Sequence, residues 1–349
     1  MVFSPSPSLP PDDLEYILRH GETLWQEVAD ARFFITGGTG FFGIWLLETL
    51  AFVRKRLNLR FSVSLLSRDV ERFSRRFPHL AAHPAFAFVQ GDVRDFRFPE
   101  GRFSHVIHAA AASAAPQPPA EVFSVLVDGT RHVLAFARAA QAARFLFVSS
   151  GAVYGAQPPE MTCIPETTCC APDPATSESV YSEGKRAAEL ACAITAAACP
   201  EMTCVIARCF AFIGPHLPLN AHFAAGNLLR DALSERVLRI KGDGRTVRSY
   251  LYMADLVVWL LTLLIRGQSL RPYNVGSDEA VDIAALARRI RDALAPASSI
   301  EIAQPAGTAL PPRYVPDLER ARSELGLEVR IGLDEAIART ARWLRETTA

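Results

Sequence analysis

From Arg32 onward the chain alternates short, unbroken apolar runs with longer segments whose apolar positions recur every three or four residues. The runs are "RFFIT", "FSVSLL", "AFAFVQGD", "HVIHAA", "RFLFVSS" and "CVIARCF". Helical spacing fills the intervals: through Trp45 to Val53, near Val70 to Phe77, around Glu121 to Ala143, and in an Ala-rich stretch from Val180 to Ala198. Strands without polar alternation are buried on both faces, and helices between them are the crossovers of a parallel sheet. The pattern therefore predicts an α/β protein, a doubly wound parallel sheet with a smaller C-terminal α/β lobe.

Two regions depart from the alternation. Before it, residues Met1 to Pro11 read as a Pro/Ser tail and Asp12 to Asp30 as one amphipathic helix, with Leu14, Ile17, Leu18, Leu24, Trp25 and Val28 along one side. After it, the signals mix: a helix near Asn227 to Glu235, strand-like "VRSYLYM", and helices at Ala254 to Arg266, Ile283 to Leu294, Leu318 to Leu325 and Leu333 to Arg345. Between strand and Ala-rich helix, Tyr154 to Ser179 reads as a long loop, a length that in compact domains goes with function. The expected division is 1–30 for tail and helix, 31–207 for the sheet domain, and 208–349 mainly for a substrate lobe, part of which can return to the sheet.

Composition narrows the class. Half of the 349 residues are apolar, too many for a disordered chain, and Lys plus Arg balance Asp plus Glu at 37 each, which leaves no basic footprint for nucleic acid. The longest apolar stretch, Leu256 to Ile265, is closed by Asp255 and Arg266 and is about half a membrane span. The start "MVFSPSPSLPP" has neither a basic nor an apolar signal region, so a cytoplasmic protein is expected. Seven cysteines, an odd number without a C-x-x-C pair, all lie between Cys163 and Cys209 and are expected to be reduced and structural, with no metal.

"GGTGFFG" follows the first strand and opens a helix. It satisfies G-x-G-x-x-G from Gly38 and G-x-x-G-x-x-G through Gly37, Gly40 and Gly43. The first glycine supports a tight turn, the middle one admits a pyrophosphate where a Cβ would stand, and Gly43 lets helix and strand pack closely. The N–H groups at the helix start, at Phe41, Phe42 and Gly43, then face the phosphates. In this context the sheet is a Rossmann, dinucleotide-binding one. At the end of the second strand, where an acid would bind the ribose of NAD, stand Ser67 and Arg68. Arg68 favours a 2′-phosphate and hence NADP, with Asp69 as the alternative that returns the preference to NAD. After the third strand, Asp92, followed by Val93, is placed either to reach the adenine amino group or to form a turn. After the fourth, Ala109, Ala110 and Ala111 leave room beside His108 for the cofactor or for a core imidazole.

In "VYSEGKRAAE", Tyr181 and Lys185 are one helical turn apart and share a face. A phenol needs a shift of roughly three pH units, about 4 kcal/mol, to act as a base near neutrality. A neighbouring ammonium and the positive nicotinamide ring favour phenolate. Ser150, closing "RFLFVSS", supplies a hydroxyl for the substrate oxygen.

These features in this order, with "VSSGAVYG", "ARCFAFIGP", "GDGRTVRSYLYMADL", "YNVGS" and "PDLERARSELG", resemble the extended short-chain dehydrogenase/reductase family, the nucleotide-sugar epimerases and dehydratases, over Arg32 to Glu346. The resemblance implies that Tyr181 removes a proton from a sugar hydroxyl, usually at C4, as hydride passes to the cofactor. It also implies that Ser150 and Gly151 touch the sugar nucleotide, and that Asn227, Arg248 and Arg313 bind its diphosphate. Dehydratases and UDP-glucuronate decarboxylases of the family carry an acid just after the serine, where this chain has Gly151 and Ala152. Epimerisation is accordingly the first expectation, a 4-keto-sugar reductase or dehydratase the second, and a non-catalytic dinucleotide-binding regulator the alternative of another class. Leu126 and Ala211 replace residues that are often Asn in relatives, and Asp255 is expected to cap the helix it opens. A nucleotide-diphosphate sugar and a second copy of the chain are the expected partners.

Overall fold

The computed structural model describes residues 5–111, 117–221, 223–234 and 237–348. Met1 to Ser4 of the tail and Glu235, the expected end of one helix, lie outside them. The six apolar runs form strands β1 (Arg32–Thr36), β2 (Ser62–Ser67), β3 (Phe86–Gln90), β4 (His105–His108), β5 (Arg144–Ser150) and β6 (Thr203–Cys209). A seventh strand, Pro272–Val275, completes one sheet in the order Pro272–Val275, β6, β5, β4, β1, β2, β3. β1 is parallel to β2 on one side and to β4 on the other, with Phe33 opposite both Val63 and His105. The chain grows outward from β1 to β3, then restarts on the other side of β1. In such a sheet a crevice for ligands opens at the carboxyl ends of the two strands where the order reverses.

The chain forms two compact units. The first comprises Met1–Val153, Pro172–Arg208 and Val257–Tyr273; the second Tyr154–Ala171, Cys209–Leu256 and Asn274–Ala349. Beyond residue 207, Val257–Tyr273 belongs to the first unit, and before it Tyr154–Ala171 belongs to the second. The apolar helix Met253–Arg266 needs burial along most of its length, and its end is held in the first unit by Arg144 on the Gly267 carbonyl and by the Leu270 N–H on the Cys204 carbonyl.

One core of the first unit lies under the helices Pro119–Ala139 and Val180–Ala198. It gathers Phe34, Phe96, Phe103, Phe136 and Phe147 with the buried Cys192, Cys199 and Cys204, which pack as small apolar residues. The helix Phe41–Arg56 is buried almost all round, from Gly43 to Leu50 and at Val53, so one face against the sheet is not enough. The N-terminal segment covers another face. It is not one helix: Gly21 breaks it into Pro11–His20 and Glu22–Trp25, and Trp25 folds back to donate from Nε1 to the Leu18 carbonyl at 2.8 Å. Helix Pro11–His20 packs on Phe41–Arg56, and Glu15 faces Arg56 at 3.5 Å.

In the second unit, "VRSYLYM" forms two short strands, because its halves find different partners. Val247–Arg248 pairs with Val281–Asp282 and Arg313–Tyr314, while Leu251–Tyr252 pairs with Phe212–Ile213. The segment Tyr154–Ala171 is held here by Asn274. Its side chain donates to the Ile164 and Asp317 carbonyls and accepts from the Tyr154 hydroxyl, and its N–H reaches Glu166. Among the described residues no helix is long and apolar enough to cross a membrane.

Candidate active site

The glycine bend leaves β1 at Gly37, whose φ of +72° belongs to the left-handed region that side chains disfavour. A Cβ at Gly37 would also lie 2.5 Å from the Ala109 carbonyl, so the loops after β1 and β4 touch there. Gly43 is required by packing, since its Cβ would meet the Gly38 backbone at 2.3 Å. Gly40 differs. Its Cβ would find only the Gly37 oxygen, at an ordinary 3.4 Å, so nothing inside the protein demands a glycine. Gly40 is the N-cap of Phe41–Arg56 and no side chain caps that helix. A cradle of backbone N–H groups, with a free approach at Gly40, fits a pyrophosphate.

At the end of β2, Ser67 is buried and Arg68 exposed. Asp69 caps the next helix, accepting from the Arg72 N–H at 2.8 Å, so its carboxylate already has a structural task. Asp92 forms a turn on the Arg94 N–H and is forked by the Arg94 guanidinium at 2.7 and 3.1 Å. Those hydrogen bonds hold its carboxyl below the usual range, with a smaller contribution from Arg68, which therefore stands near it. Val93 is buried against Gly129.

His108 is a core residue. Its Nδ1 lies 2.7 Å from the Thr36 hydroxyl and its Nε2 2.9 Å from that of Thr130. Burial, with Lys185 nearby, lowers its pKa to about 3, so the ring is neutral. Beside it, the half-buried Ala109 and Ala110 bond to the end of β1: the Ala109 N–H donates to the Thr36 carbonyl and the Ala110 N–H to the Thr36 hydroxyl. Ala111 is exposed.

Two of the catalytic candidates, Lys185 and Ser150, meet the same strand, β5. Lys185 is buried, donates from Nζ to the Val148 carbonyl at 2.7 Å and lies 4.8 Å from the centroid of the Phe147 ring. Ser150 ends the same strand two residues on, accepting from the Ala152 N–H at 3.1 Å, and Gly151 starts the 3-10 turn that follows. Tyr181 lies in the first turn of Val180–Ala198 and is 38% exposed, in reach of an incoming molecule. Two turns further along this helix stands Glu189, missed in the sequence. It accepts from Ser149 at 2.6 Å and is paired with Arg208 at 2.7 Å, tying the helix to β5 and β6. Its place one turn beyond Lys185, on the same face, is the signal that could have found it. Leu126 packs on Gly184: a Cβ there would lie 2.8 Å from a Leu126 methyl.

In the second unit, Arg248 is half-buried over the Tyr314 ring at 5.6 Å, and burial lowers its pKa. Arg313, on the neighbouring strand, donates to the Thr162 carbonyl at 3.3 Å and keeps a buried Nε without a partner. The Asn227 carboxamide accepts from Arg230 at 3.2 Å. Asp255 lies in the first turn of the helix Met253–Arg266, and its carboxylate accepts from the N–H groups of Arg330 and Ile331 at 3.1 and 3.0 Å. Ala211 offers its carbonyl to the Leu251 N–H.

A doubly wound sheet, a glycine cradle at its switch point, and a Ser, Tyr and Lys set beside it define an NAD(P)-dependent oxidoreductase of the short-chain type. Residues 33–276, more than half of the chain, match the model of the "NAD dependent epimerase/dehydratase family". The chain belongs to that family. It is 28% identical to UDP-glucuronic acid decarboxylase 1 of Arabidopsis thaliana, over 88% of this chain and 68% of the relative, and 28% identical to the Xenopus tropicalis enzyme of the same name, over 90% and 72%. Among solved structures, UDP-glucose 4-epimerase of Thermotoga maritima superposes with a TM-score of 0.74 at 22% identity, over 91% of this chain and 100% of that one. The dTDP-glucose 4,6-dehydratase of Streptomyces venezuelae, solved with NAD, gives 0.75 at 23%, over 90% and 97%.

Proposed function

We propose that the protein epimerises a nucleotide-diphosphate sugar at C4 through a transient 4-keto sugar. The observation that carries this is the end of β5: Ser150 and the Lys185 anchor share the strand, and the turn that follows begins with Gly151 and Ala152 in place of an acid. The relatives named above all bear a nucleotide sugar in their names, which supports that substrate class. Bound dinucleotide supplies hydride acceptance and return. Tyr181 takes the proton of the C4 hydroxyl while the C4 hydride departs, leaving a C4 carbonyl; Ser150 donates a hydrogen bond to that oxygen, and the Lys185 ammonium favours the phenolate. When hydride comes back on the other face, Tyr181 returns the proton. No acid at residues 151 and 152 stands ready to eliminate water or assist another step.

In the second unit, Arg248, Arg313 and Asn227 are assigned to the diphosphate, which suits the forked donors of arginine. The unpartnered Nε of Arg313 supports this. NADP is favoured over NAD by Arg68, exposed at the end of β2, and by the capping task of Asp69. A reductase of a 4-keto sugar, drawing on NADPH, is the second reading on the same observation. The protein is assigned to the cytoplasm, acting as a homodimer. Incubation with UDP-, GDP-, CDP- and dTDP-sugars, with products and cofactor state measured together, separates these readings. Epimer formation without net cofactor consumption is expected, and Tyr181→Phe should reduce it at least about a hundredfold. Stoichiometric NADPH oxidation, or unchanged turnover in Tyr181→Phe, overturns the epimerase mechanism.

A further inference from the structure

We propose that Thr36, His108 and Thr130 form a hydrogen-bond relay of fixed direction that ties the dinucleotide cradle to the catalytic helix, with His108 as its positioning residue. The proposal rests on the cofactor reading above. The direction follows from what each atom can do. The Leu126 carbonyl only accepts, so the Thr130 hydroxyl, 2.6 Å away, donates to it. Its single proton used, Thr130 accepts from His108, which puts the ring proton on Nε2. A neutral ring then has a bare Nδ1, and the Thr36 hydroxyl donates to it. The oxygen of Thr36 is left to accept from the Ala110 N–H at 3.2 Å. With the ring neutral, this assignment satisfies every member of the chain.

The two ends lie where a link has consequences. Thr36 and Ala110 flank the contact between Gly37 and the β4 loop, where no Cβ fits, so their bond holds the cradle at its narrowest point. Leu126 packs on Gly184, the residue before Lys185. The Phe147 ring lies between the two sites, 5.6 Å from the His108 ring and 4.8 Å from the Lys185 ammonium. The groups facing His108 are the two hydroxyls, the Phe145 and Phe147 rings and, as the charge acting on it, Lys185. A second cation there would repel the ammonium that the phenol needs. Four hydrogen bonds thus run from the loops after β1 and β4 into the helix Pro119–Ala139, and the Leu126 side chain packs that helix on the catalytic one.

The test has two arms on the full chain. Long-range nitrogen-15 spectra of the imidazoles, with His108 assigned by its loss in His108→Gln, report the tautomer without any cofactor; protonated Nε2 and bare Nδ1 are expected at pH 7. Calorimetric titration with NAD and with NADP then compares Thr36→Val and Thr130→Val with Thr36→Ser and Thr130→Ser. Both valine variants should bind the preferred dinucleotide about tenfold more weakly and both serine variants within about threefold of wild type. Thr130 is not a cradle residue, so weakening there, rescued by serine, is not what a merely structural hydroxyl gives. A protonated Nδ1, or valine variants with wild-type affinity, overturns the relay. Wild-type protein that binds neither dinucleotide overturns the cofactor reading, while the tautomer result still decides the direction of the relay.

Discussion

Three glycines of one motif have different reasons to be glycine, and the reasons separate in the test tube. Gly43→Ala puts a Cβ 2.3 Å from backbone and should destabilise the protein by about 2–3 kcal/mol. Gly40→Ala meets nothing closer than 3.4 Å, so its melting temperature should stay near wild type while affinity for the preferred dinucleotide falls about tenfold or more. Equal thermal losses in the two variants would contradict that assignment. His108 makes a second residue-scale prediction. Its pKa is depressed in the folded state, to about 3, so between the unfolded value and that one the unfolded chain binds the proton and the folded one does not. The stability from this group is present above about pH 6.5 and is lost as pH falls, by about 2 kcal/mol at pH 5. Denaturant midpoints of wild type and His108→Gln across pH 5 to 7 should therefore converge on acidification. Tyr181, Lys185 and Ser150 could be singled out as candidates from spacing because a helical turn and a strand end are local. The task of His108 was not, since its partners Thr36 and Thr130 are 72 and 22 residues away.

At the scale of elements, the helix Val180–Ala198 is fastened to the sheet by a buried ion pair as well as by apolar packing. Glu189 and Arg208 are 12% and 15% exposed and are joined by two hydrogen bonds, with Ser149 as a third partner of the carboxylate. Arg208→Met leaves a buried carboxylate without its cation and should cost about 3–5 kcal/mol. Glu189→Gln combined with Arg208→Met should recover part of that loss, which chemical unfolding of the single and double variants measures; no recovery would mean that the arginine acts alone. Most strands and helices were readable as periodicity, including Val180–Ala198 and Ile283–Leu294 to the residue. Two misreadings have identifiable causes. The N-terminal helix breaks at Gly21, where Trp25 folds back onto Leu18, and "VRSYLYM" splits between partner strands far along the chain; in both, a specific contact overrode the periodicity.

At the scale of the whole molecule, apolar surface remains on the paired helices of the first unit. Leu190 and Ile194, one turn apart on Val180–Ala198, are 61% and 64% exposed, and Phe123 on Pro119–Ala139 is 45% exposed. Leu190 and Ile194, side by side on one helix face, mark a surface for association, and a second copy of the chain is the partner proposed above. Leu190→Glu with Ile194→Glu should shift the protein from a dimer to the 38.2 kDa monomer in light scattering; a wild type that is already monomeric would refute the homodimer. The sequence by itself determined the α/β class, the parallel sheet with its crossover helices and the glycine-rich bend after β1, and it singled out the Ser, Tyr and Lys candidates, because each depends on residues close together in the chain. Only the tertiary structure decided that Val257–Tyr273 returns to the first unit, that Tyr154–Ala171 belongs with the second, and that Asp69, Asp92 and Asp255 already serve backbone or arginine partners. Hydrogen bonds and burial are satisfied by whatever the fold brings near, and that proximity is written in no local pattern.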